Sequence, residues 1–100
     1  MVDSMEQCAY RIVFNGMPTD KGKEILGSIL WDCYHGGDGY TCGEISFYDK
    51  DKDEAYKIFY KLSQIVINPD YMKTGDLELL DRDEYGISRK IRDVEFWRRN

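Results

Sequence analysis

Apolar and polar positions follow two different periods along this chain. They alternate in Tyr10-Arg11-Ile12-Val13-Phe14, which puts Tyr10, Ile12 and Phe14 on one face and Val13 on the other. β-Branched and aromatic residues in that pattern predict a strand, and Glu44-Ile45-Ser46-Phe47-Tyr48 repeats it. Between them the period lengthens. Ile25, Ile29 and Cys33 recur every four residues with Leu26 and Leu30 beside them, after the helix-starting pair Thr19-Asp20. This spacing predicts a helix, although Gly22 and Gly27 each weaken it by up to about 1 kcal/mol relative to alanine. Ala55, Ile58, Phe59, Leu62, Ile65 and Val66 form the clearest helical stripe, which ends before Pro69. Asp51-Lys52-Asp53-Glu54 matches a capping box at its start, with Asp51 as the cap. Leu77-Glu78-Leu79-Leu80 and Ile87 to Trp97 then flank an acidic turn, Asp81 to Gly86, and predict a terminal hairpin.

Turn chemistry punctuates these elements at Asn15-Gly16, at His35-Gly36-Gly37-Asp38-Gly39, at Asn68-Pro69 and at Thr74-Gly75-Asp76. The resulting order is β-α-β-α-β-β. It predicts an α+β fold in which two helices pack on one face of a small, mainly antiparallel sheet of about four strands. Reading residues 29–34 as a strand changes the order to β-α-β-β-α-β-β, which approaches the ferredoxin-like arrangement. No linker, repeat or low-complexity block divides the chain, so residues 1–100 are expected to form one domain.

Charge adds direction to this picture. The net charge is −5, from 14 Lys and Arg against 19 Asp and Glu. It is divided unevenly: residues 87–100 carry Arg89, Lys90, Arg92, Arg98 and Arg99 against only Asp93 and Glu95, and the rest of the chain is strongly acidic. Such a body is expected to choose partners by charge. Three cysteines, Cys8, Cys33 and Cys42, make an odd count that fits a reducing compartment. The acidic start of the chain has no apolar signal-peptide core, and no apolar run approaches the ~20 residues of a membrane span. The expectation is a cytoplasmic protein with no membrane partner.

Candidate chemistry is sparse. Cys33-x-His35 with Cys42 and Cys8 is the set closest to metal ligands, but it lacks the close cysteine pairs of zinc sites. Cys33 and His35, two apart, are poorly placed for nucleophile–base proton transfer. Asp49-x-Asp51-x-Asp53 resembles the opening of a calcium loop, yet Glu54 stands at the sharp-turn glycine position and Tyr60 at the bidentate glutamate position. The glycine-rich stretch lacks the Lys-Ser/Thr of a phosphate loop. We therefore expect no cofactor, no metal and no catalytic residue.

Recognition residues remain. Tyr56 and Tyr60 stand four apart on the second helix, away from its apolar stripe, where exposed tyrosines favour interfaces. With Asp49, Asp51, Asp53, Asp81, Asp83 and Glu84 they make the expected partner-binding set, which suits a protein partner with a basic surface. The expected function is a small acidic protein-binding module that inhibits or regulates its partner, of the immunity, antitoxin or viral counter-defence type. The alternatives are a nucleic-acid-binding domain using the basic patch Arg89, Lys90, Arg92, Arg98 and Arg99, and a small enzyme or enzyme subunit. The acidic body opposes a polyanion, which makes nucleic acid the lesser alternative. The terminal strand also offers a route to a homodimer.

Overall fold

The computed structural model describes residues 8–30, 32–37 and 39–97. The elements run β1 (Cys8–Pro18), α1 (Asp20–Ile29), β2 (Asp32–His35), β3 (Thr41–Tyr48), α2 (Lys52–Val66), β4 (Met72–Arg82) and β5 (Ser88–Trp97). A 3-10 turn, Asp49–Asp51, leads into α2. Five strands form one sheet in the order β2-β3-β1-β4-β5, and every neighbouring pair is antiparallel. β1 to β4 with their two helices trace the ferredoxin-like connectivity, and β5 extends the sheet beyond β4. The sheet thus has one strand more than the alternating runs predict.

The extra strand is β2. Helical spacing carries Cys33 as the third member of the Ile25–Ile29 series, but α1 ends at Ile29 and Leu30 is extended, with φ −80° and ψ 135°. Cys33 lies opposite Gly43 in the β2–β3 ladder and packs against the core. The apolar spacing therefore runs on through a change of secondary structure, because strand alternation also turns Cys33 inward. The glycine-rich stretch closes this hairpin as expected: Gly36 N–H donates to the Tyr40 carbonyl at 2.6 Å, and Gly39 adopts φ +88°.

Two glycines expected in turns lie inside strands instead. Gly16 and Gly75 are cross-strand partners within the β1–β4 ladder. A methyl group on Gly16 would be driven into the Thr74 carbonyl oxygen and lie 2.7 Å from Gly75 Cα. Gly75 lies under Val66 and the Phe14 ring, which occupy the space its own side chain would fill. These glycines permit close approach of backbone and ring, a use that looks like a turn signal in a sequence.

Strand alternation sorts the sheet into two faces. Ile12 and Phe14 of β1, Ile45 and Phe47 of β3, and Leu77 and Leu79 of β4 join Leu26 and Leu30 with Ala55, Phe59, Leu62, Ile65, Val66 and Met72 in one buried cluster. Both helices therefore cover the same face. The α2 stripe is as the spacing predicts, except that Ile58 is only partly buried. Gly16→Ala should lower the melting temperature because the clash is with backbone. Gly27→Ala meets nothing within 4 Å on an exposed helix position and should raise stability by up to ~1 kcal/mol. Thermal melts of the two variants moving in the same direction would contradict these placements.

Candidate partner-binding surface

The acidic residues singled out by sequence lie at one end of the sheet. Phe47 of β3, Tyr10 of β1 and Asp81 of β4 form one cross-strand row. Asp49, Asp51 and Asp53 continue from one side of that row and Asp83 and Glu84 from the other. Their chemistry is uneven. Asp81 receives two hydrogen bonds from the Arg89 guanidinium, at 3.1 and 3.2 Å. Asp83 Oδ1 accepts from the N–H groups of Tyr85 and Ile87, both at 2.9 Å, and so builds the β4–β5 turn. Gly86 completes that turn at φ +80°. Asp49, Asp53 and Glu84 are the exposed members.

Asp51 occupies the cap position of α2, but its side chain makes no capping hydrogen bond, because the 3-10 turn leads the chain in at φ −102° and ψ 24°. The capping box is thus present in sequence and absent in geometry. Thr19 does cap α1: its Oγ1 accepts from Gly22 N–H at 3.2 Å and donates to the Asp70 carbonyl at 2.8 Å. Thr19→Ala should cost about 1–2 kcal/mol in urea unfolding. Asp51→Ala should stay within about 0.5 kcal/mol, and the reverse ranking would refute this geometry.

Tyr60 is 69% exposed, as its spacing predicts. Tyr56 is half-buried against the core, and the Arg92 guanidinium carbon lies 5.9 Å from its ring centroid. That cation–π contact engages the ring within the fold. A groove of about 710 Å³ opens beside α2, lined by Ile29, Ile45, Phe47 and Ile58, with Asp51, Glu54 and Lys61 among its polar lining.

The basic patch is divided by the sheet. Lys90 belongs to the uncovered face and reaches Asp93 at 3.4 Å and Glu78 at 3.6 Å, while Arg92 turns to the helical face over Tyr56. Hydrogen bonding raises the proton affinity of both Arg89, toward Asp81, and Lys90, toward Asp93. Arg98 and Arg99 lie outside the described residues. Cys33 and Cys42 take opposite faces of the sheet by their registers opposite Gly43 and Tyr34, so they do not converge. The side chains of Cys8 and His35 lie outside the described part. Among the described residues no three His, Cys, Asp or Glu side chains group to hold a metal, and no helix is long and apolar enough to cross a membrane.

The feature that sequence reading missed is the sheet face opposite the helices, which is uncovered among the described residues. Glu78 of β4 stands opposite Asp93 of β5, and Asp76 stands opposite Glu95. Glu44 of β3 shares this face, across Val13 of β1 from Glu78. Like charges directly opposite each other weaken a sheet. Lys90 answers part of this charge, and Arg11 approaches Glu44 at 3.9 Å. Among the described residues, neither Asp76 nor Glu95 has a cation within ion-pair distance. Burial first, and then Glu78 and Glu95, push the Asp76 carboxyl above its usual range.

A raised carboxyl means that the fold holds this proton more tightly than the unfolded chain does. The stability that Asp76 contributes is complete below the ordinary aspartate range and is lost as pH rises through the folded value. Asp76→Asn should therefore be more stable than wild type at neutral pH, by an amount that shrinks in acid. Paired melts across pH check this, and an advantage that grows toward acid would contradict it.

Comparison with protein-family models, with curated proteins and with solved structures returns no match. The fold and the uncovered acidic face are therefore the basis for the functional reading.

Proposed function

We propose that this chain is a small protein-binding module that inhibits or regulates a partner by laying its acidic sheet face on a basic surface. The surface it suits is one that otherwise holds nucleic acid, and the mode of action is that of an immunity protein, an antitoxin or a viral counter-defence protein. One observation carries the reading: the opposed pairs Asp76–Glu95 and Glu78–Asp93 on a face that, among the described residues, neither helix covers. These pairs work against the sheet's own stability, and a cationic partner would relieve them. Concentrated negative charge also steers a basic partner into contact and speeds association.

Affinity capture from cells of the source organism, with mass spectrometry, tests the class. A stoichiometric protein whose recovery survives nuclease and falls with salt is the expected result. Recovery that nuclease abolishes would overturn the reading in favour of nucleic-acid binding.

A further inference from the structure

We propose that the outer edge of β5 is a strand-addition site, and that its occupant is an extended partner segment alternating Lys or Arg with apolar residues. This deepens the partner-binding reading and rests on it. The sheet ends at β2 and β5. β2 has four residues, whereas β5 has ten, and among the described residues no strand pairs with the far side of β5. Its backbone donors and acceptors on that side form a template for another chain.

The usable length lies beyond the bulge. Register shifts between Leu79 and Leu80, where β5 passes from Arg92 to Lys90, and Arg92 Nη1 donates to the Ile91 carbonyl at 2.8 Å. The regular ladder covers residues 92–97. Within it, Arg92, Val94 and Phe96 pair with Leu79, Leu77 and Gly75 on the helical face, while Asp93 and Glu95 pair with Glu78 and Asp76 on the uncovered face. Val94 and Phe96 are half-buried against the core.

An added strand repeats this alternation. Its residues opposite Asp93 and Glu95 fall on the uncovered face, with Cβ atoms ~5 Å from theirs and within diagonal reach of neighbouring carboxylates. Its residue opposite Val94 falls on the helical side and extends the apolar edge. The recognised pattern is therefore cation–apolar–cation.

The same register argues against a second copy. Two-fold antiparallel pairing keeps each face on its own side. Centred on Asp93 it opposes Asp93 to itself, centred on Val94 it opposes Asp93 to Glu95, and centred on Glu95 it opposes Glu95 to itself. Each arrangement adds like-charge contacts to a face already crowded with them.

The probe is a capped seven-residue peptide alternating lysine and valine. It is titrated into the full chain at low salt by calorimetry, with amide hydrogen exchange followed along β5. Expected are a one-to-one complex, slowed exchange confined to residues 92–97, and at least tenfold weaker binding to the folded Asp93→Asn/Glu95→Gln variant. A peptide of the same sequence N-methylated at alternate residues on its pairing edge keeps the charge and loses the ladder, and it should bind at least tenfold more weakly. Equal affinity of the methylated peptide, or no binding of the parent peptide, would overturn strand addition. Either result leaves the acidic face free to bind a basic partner in another way. A dimer of the chain alone, with residues 92–97 already protected, would also overturn the proposal.

Discussion

Phe59→Ala is expected to cost about 3–5 kcal/mol, the largest loss from any single core truncation on α2. Phe59 is 6% exposed and projects from the middle of the helix into the cluster formed with the buried residues of β1, β3 and β4. Truncation removes its apolar area and leaves a cavity, and neighbours fixed by the sheet can close only part of it. A domain of this size has only ~5–15 kcal/mol in total. At ~4–8 °C per kcal/mol, the melting temperature should fall by more than 12 °C. A melt that coincides with wild type would mean that α2 presents a different face to the sheet.

Neutralising Asp76, Glu78, Asp93 and Glu95 together, as Asn or Gln, is expected to leave the fold as stable as wild type or more so. It should weaken partner binding about a hundredfold, equivalent to ~2.7 kcal/mol. The two effects have opposite signs for one reason. Within the free chain these carboxylates mainly repel one another, and Lys90 compensates only part of that repulsion. Against a basic partner each becomes an attraction, and much of the gain appears in association rate, which salt screens. Lost affinity in a variant that also unfolds would be uninformative alone. The matching control is therefore Asp49→Asn/Asp53→Asn/Glu84→Gln, which removes exposed carboxylates from the sheet end. A control that loses as much affinity as the sheet-face variant would place the interface at the end of the sheet.

The helices and strands were largely legible because their apolar periods reflect burial directly. The 55/59/62/65/66 stripe and the Tyr10, Ile12 and Phe14 face follow from geometry alone. Gly16 and Gly75 misled because glycine marks both turns and close approaches, and only the register reveals that they oppose each other. β2 was legible only as the alternative strand at residues 29–34, because Cys33 faces the core under both helical and strand spacing. The expected acidic site consists of clusters near in sequence, Asp49 to Asp53 and Asp81 to Glu84. The uncovered face is not legible in the sequence because Asp76, Glu78, Asp93 and Glu95 alternate with Leu77, Val94 and other inward residues. Their charge concentrates only when β4 and β5 pair. The alternation of carboxylates through the terminal hairpin was the available signal.

Binding through the acidic sheet face is tested by the footprint of the captured partner on the chain, measured by NMR cross-saturation from the protonated partner to amides of the deuterated protein. The effect is expected to concentrate on β4 and β5 around Asp76, Glu78, Asp93 and Glu95, with the solvent side of α1 and α2 unaffected. A footprint on the helices that leaves the uncovered sheet face untouched would contradict it.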